Sequence, residues 1–78
     1  MNKPLNDAEV YMIRGAECIV ERSYDQAIAD FTQAIKLTRN NYTAYSLRGH
    51  ANYLKGDWDA AIADYTQLIL LNPNDAGA

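Results

Sequence analysis

The chain repeats itself after 34 residues. Tyr11, Arg14 and Gly15 recur as Tyr45, Arg48 and Gly49. Asp25, Ala27, Ile28, Ala29 and Asp30 recur as Asp59, Ala61, Ile62, Ala63 and Asp64. Thr32, Gln33, Ile35, Leu37 and Asn40 recur as Thr66, Gln67, Ile69, Leu71 and Asn74, which makes 13 identities in one ungapped register. A period of this length is one supersecondary unit used twice. Such a unit cannot bury its apolar face alone and stacks on its neighbour, so the architecture offers surfaces for binding rather than a reaction centre.

Within each unit the pattern is helical. Ala27, Ile28, Phe31, Ala34 and Ile35 form one stripe at 3.6-residue spacing, as do Ala61, Ile62, Tyr65, Leu68 and Ile69. No period-2 alternation is present, so no sheet is expected. Asn6 or Asp7 can cap a first helix running to about Val20, and Glu21-Arg22-Ser23 breaks it. The run Ser23-Tyr24-Asp25-Gln26 has the form of a capping box for a second helix ending near Leu37. Asn41 caps a third helix to about Lys55. Gly56 permits a left-handed stop, and Asp57 caps a fourth helix that ends near Leu71 before Asn72-Pro73-Asn74.

With 78 residues the chain is expected to form a single domain, residues 1–78. Its net charge of −3, with both signs interspersed, lacks the basic patch of a nucleic-acid binder. No apolar run approaches the length of a membrane span, and Met1–Asn6 is not a secretory leader. The lone cysteine, Cys18, fits a reducing compartment, so a cytoplasmic location is the expectation.

The residues together resemble the tetratricopeptide repeat family. Tyr45, Gly49, Gly56-Asp57-Trp58, Ala61, Tyr65 and Pro73 stand at the family positions in the second copy, and Tyr11, Gly15, Tyr24, Ala27, Phe31 and Ala34 in the first. The likeness implies an all-α fold, an α-solenoid of tandem antiparallel helix hairpins with four helices. Repeat 1 would span about 8–41 and repeat 2 about 42–75. Gly15, Gly49, Ala27 and Ala61 are small where paired helices meet. The rings at 11, 31, 45 and 65 fill the space between helices, and Tyr24 and Trp58 cover the turns.

Departures from the family pattern carry expectations of their own. Arg14 and Arg48 replace the usual leucine, and Asp30 and Asp64 recur in the partner helix. Charge-assisted pairs Arg14–Asp30 and Arg48–Asp64 are expected, against the alternative of separately solvated charges. Arg39 stands for the expected proline, which leaves the first inter-repeat turn looser. Cys18 reads as a small buried residue rather than a redox centre. Leu68-Ile69-Leu70-Leu71 makes the last helix apolar on more than one face. Leu68, Leu70 and Leu71 are therefore expected to pack against a further repeat or a second chain. This makes the chain a homo-oligomer or an excerpt of a longer array.

No catalytic constellation is present. His50 has no companion for a metal set, Ser23 and Ser46 lack a base, and no glycine-rich phosphate loop occurs. No enzyme activity and no cofactor are expected. In the family the first helix of each repeat lines the concave face. Its ligand-facing positions map onto Glu9, Met12, Ala16, Ile19 and Val20, and onto Thr43, Ser46, His50, Tyr53 and Leu54. Met12, Ala16, Ile19, Ser46, His50 and Tyr53 are the expected contacts for a peptide or helix of a protein partner. The Lys and Asn clamp by which some family members hold a C-terminal carboxylate is absent, because Met12, Ala16, Ser46 and His50 occupy those places. Self-association is the competing reading.

Overall fold

A computed structural model describes residues 4–71. Those residues form four α-helices, α1 (Asp7–Val20), α2 (Tyr24–Leu37), α3 (Tyr42–Lys55) and α4 (Trp58–Leu71). The connections are short, so neighbouring helices run antiparallel as two hairpins. α1 packs on α2 and α3 on α4, while α3 also packs on α2 and joins the two units. α1 meets α3 along a narrow seam and does not touch α4.

Helix boundaries fall where the sequence places them, but the first hairpin is capped differently. The capping box forms at α1: Asn6 Oδ1 accepts from the Glu9 amide at 2.8 Å, and Glu9 Oε1 accepts from the Asn6 amide at 2.9 Å. The box expected at Ser23 and Gln26 does not form, since the Ser23 side chain caps nothing. The Ser23 amide already donates to the Cys18 carbonyl at 2.8 Å, so no free donor is left for Gln26. In the second copy, Asn41 caps the Ala44 amide at 3.0 Å and Asp57 caps the Ala60 amide at 3.2 Å, as expected. The stop at Asn72-Pro73-Asn74 lies outside the described residues.

The turn between paired helices is the same in both copies. Asp57 donates to the Asn52 carbonyl as Ser23 does to that of Cys18. This closure requires a positive φ one residue earlier. Gly56 supplies it at 92°, but in the first copy Arg22 is held at 65°, a region that disfavours residues with a side chain.

The core sits between the units. Ala27, Phe31 and Ala51 are fully buried together, with Met12, Cys18, Ile19, Ile28 and Leu47 packed around them. A β-carbon on Gly15 would lie 2.6 Å from Phe31 Cε1, so the missing side chain is what lets α1 close on that ring. Removing a ring like Phe31 from water contributes about 1.5–3 kcal/mol. In the second copy the fit is looser. A β-carbon on Gly49 would stand 3.1 Å from the Tyr65 ring, and Tyr65 stays 37% exposed rather than filling the inter-helix space as Phe31 does. Trp58 is likewise largely exposed and rests edge-on against Tyr53, with ring centroids 5.1 Å apart.

Candidate functional site

α1 and α3 stand side by side and present one continuous surface. Periodicity puts Glu9, Ala16 and Val20 of α1 on it, and Thr43, His50 and Leu54 of α3 at the equivalent places. All six are exposed. Val20 is 83% and Tyr53 54% exposed, so the surface carries apolar side chains towards the C-terminal ends of both helices. Of the other side chains expected to contact a partner, Ser46 is half-buried. Met12 and Ile19 are half-buried too and give part of their surface to the core beneath. The apolar groups most available on this surface are therefore Val20, Tyr53 and Leu54.

Behind it, α3 is anchored by a charged network. Arg48 grips Asp64 with two groups: Nη2 donates to Oδ1 at 2.7 Å and Nε donates to Oδ2 at 3.0 Å. Asn52 Nδ2 donates to Oδ2 at 3.4 Å. Arg48 Nη1 reaches across to α2 and donates to Thr32 Oγ1 at 3.1 Å, while that hydroxyl donates to the Ile28 carbonyl at 2.7 Å. One guanidinium thus ties α4, α3 and α2 together, and Asp64 is buried with its charge compensated. A depression of about 280 Å³ lies over this network, floored by Thr32, Arg48, Asn52 and Asp64. Its cation is already committed to Asp64, so the depression offers no unpaired charge.

The matching pair in the first copy does not form. Arg14 is exposed, its guanidinium 5.8 Å from the centre of the Tyr11 ring, and it makes no ion pair with Asp30. Two helpers are missing. Cys18 replaces the amide of Asn52, and among the described residues no preceding helix offers a hydroxyl like Thr32. Asp30, although buried, has the Cys18 thiol at 3.9 Å instead. Loss of hydration, then the charges of Asp30 and Glu21, raise the Cys18 pKa, with Arg14 opposing. A thiol held protonated in this way is a poor nucleophile.

α4 carries a second exposed surface. Trp58, Ile62, Tyr65 and Ile69 share one face of the helix, and Ile62 and Ile69 are 62% and 60% exposed. Of the leucines expected to pack against a further unit, Leu70 is exposed, whereas Leu68 and Leu71 are half-buried. The Leu71 carbonyl accepts from the Tyr42 hydroxyl at 3.2 Å, which holds the end of α4 against the start of α3. Sequence reasoning favoured Leu68 and Leu70 because they break the repeat, and Leu71 because it ends the same apolar run. It passed over Ile62 and Ile69 because they obey it, yet the 34-residue offset from the covered Ile28 and Ile35 marks that stripe.

Among the described residues, no group of three or more His, Cys, Asp or Glu side chains is placed to hold a metal ion, and no helix is long and apolar enough to cross a membrane. A TPR repeat model matches residues 23–56, which cover α2 and α3, and a tetratricopeptide repeat model matches residues 42–75. No curated protein matches the chain significantly. Proteins built on these repeats generally serve as non-catalytic modules of protein–protein interaction. Two tandem helix hairpins in a 34-residue register, with both family models matched across residues 23–75, make this chain a member of the tetratricopeptide repeat family.

Proposed function

We propose that the chain binds a peptide or helix of a partner protein through the joint surface of α1 and α3. The observation that carries this reading is the exposure of Val20, Tyr53 and Leu54 on two packed helices, with the polar side chains of Thr43 and His50 on the same surface. Apolar anchors on a rigid base with polar neighbours suit an amphipathic helix or an extended segment with one or two apolar side chains. Met12 and Ile19 form the floor, and Ala16 leaves room for a ligand backbone. Ser46 and His50 supply hydrogen-bonding groups. No catalytic step is part of this reading, and no cofactor is needed for it.

The test is selection of binding peptides from a displayed random library on the intact chain, followed by affinity measurement. Val20→Ala and Tyr53→Ala are each expected to weaken the selected peptides by about tenfold, as truncation of an interface anchor does. Peptides that bind both variants as tightly as the parent would refute the assignment. A second reading, self-association, draws on the exposed stripe of α4.

A further inference from the structure

The depression over the Arg48 network is walled by three helices. Ile28 and Thr32 come from α2, Arg48 and Asn52 from α3, and Ala60, Ala63 and Asp64 from α4. It opens on the far side of α3 from the surface proposed above, because Arg48 and Asn52 each lie two residues from His50 and two residues turn a helix by about 200°. Its volume of about 280 Å³ lies just below the range of roughly 300–1,000 Å³ usual for small-molecule pockets, a size that suits one side chain.

The hydrogen-bonding capacity of this floor is only partly used. Asp64 is satisfied: Oδ1 accepts from Arg48 Nε and Nη2, and Oδ2 accepts from Arg48 Nε and Asn52 Nδ2. Arg48 is not. Nη1 gives one hydrogen to Thr32 and Nη2 gives one to Asp64, and each nitrogen carries a second hydrogen with no acceptor among the described residues. Asn52 turns its amide nitrogen to the carboxylate, so Oδ1 points elsewhere and receives no donor among the described residues, although the residue is only 6% exposed. No buried polar side-chain atom is sealed off without a partner there, so Oδ1 stays within reach of a ligand. Spare donors and a spare acceptor thus stand beside a matched ion pair. A carboxylate entering the depression would be repelled by Asp64 and would set an oxygen against Asn52 Oδ1. An ammonium would be repelled by Arg48. A primary carboxamide carries the two complementary groups on separate atoms, and Ile28, Ala60 and Ala63 give its aliphatic stem an apolar wall. Ala60 stands where the first copy has Gln26, which trims the rim.

We propose that the depression between α2 and α4 seats a glutamine side chain of a partner protein. Its carboxamide oxygen accepts from Arg48, its nitrogen donates to Asn52 Oδ1, and its two methylenes lie against Ile28, Ala60 and Ala63. The site belongs to the second copy, since Cys18 replaces Asn52 in the first and Arg14 makes no ion pair with Asp30. It is separate from the surface proposed for α1 and α3 and does not depend on it.

The test is titration of the intact, isotope-labelled chain with N-acetyl-glutamine methylamide, read by amide chemical shifts in nuclear magnetic resonance. Saturable shifts are expected at Thr32, Ala63 and the side-chain amide of Asn52, with a Kd of about 1–20 mM for so small a ligand. Three matched probes dissect the recognition. The glutamate analogue brings a charge, its γ-methyl ester keeps the acceptor without the donor, and the methionine analogue has neither. Each should bind at least about fivefold more weakly than the glutamine probe. Ala63→Leu fills the depression from an exposed helical position that the fold tolerates, and it should remove the shifts. Val20→Ala, on the other surface, should leave them unchanged. Absence of saturable shifts, equal binding of the methionine or glutamate probe, shifts confined to the surface around His50 and Tyr53, or indifference to Ala63→Leu would each overturn the proposal. None of these outcomes bears on peptide binding by α1 and α3, which Val20→Ala and Tyr53→Ala test by themselves.

Discussion

Phe31 and Tyr65 stand at the same place in the two copies and lead different lives. Phe31 is fully buried because α1 closes on it at Gly15 while α3 covers its other side. Tyr65 has the equivalent glycine in α3 but no described helix on its far side, and 37% of it stays exposed. The stripes around them follow suit: Ile28 and Ile35 are half-buried, while Ile62 and Ile69 lie open. One sequence pattern therefore yields a core in one copy and a surface in the other. A position on this stripe gains from the next unit along the burial that its own hairpin leaves incomplete.

The sharpest way to break this comparison is to truncate both rings. Phe31→Ala should cost about 3–5 kcal/mol, as the loss of a fully buried aromatic does. Tyr65→Ala should cost less than about 2 kcal/mol, because most of what it loses is a partial contact. Chemical denaturation of both variants checks the difference. Similar losses would mean the two copies share one level of packing.

Next in size are the two arginines. Arg48→Ala leaves Asp64 buried without its cation and should cost about 2–3 kcal/mol. Arg14 is exposed and unpaired, so Arg14→Ala should change stability by less than about 0.5 kcal/mol. Equal costs would show that Arg14 finds Asp30 in solution. The glycines come third. Gly15→Ala drives a β-carbon into a ring with no room to move and should cost about 1–3 kcal/mol. Gly49→Ala meets an exposed ring that can swing away and should cost roughly half as much or less. A reversed order in the thermal midpoints would contradict the packing of the two hairpins.

The smallest effect concerns the turn. Arg22→Gly relieves a left-handed conformation that Gly56 adopts freely, and it should stabilise by roughly 0.5–1 kcal/mol. A lowered midpoint would mean the Arg22 side chain contributes more than its backbone strain costs.

The fold was legible because its signals are local or periodic. Asn41, Gly56 and Asp57 announce their own helix ends, and the 34-residue offset places the hairpins without any knowledge of contacts. What escaped was non-local. Ser23 has the right sequence for a capping box, but the turn geometry gives its amide to Cys18. Arg14 and Arg48 share a motif, yet pairing with Asp64 also enlists Asn52 and Thr32, and the first copy has neither helper at hand. Met12 and Ile19 were expected to face a ligand because the family's first helix does, but how far a side chain sinks depends on where α2 and α3 lie beneath it. The turn at Arg22 gave no warning, since arginine carries no signature for positive φ.

Native-state amide hydrogen exchange of the intact chain tests the central contrast most directly. The amides of α2 should be protected more strongly than those of α4, because of these two helices only α2 is covered on two sides among the described residues. Equal protection of α2 and α4 in the free chain would contradict it, for it would mean that the stripe on α4 is already covered.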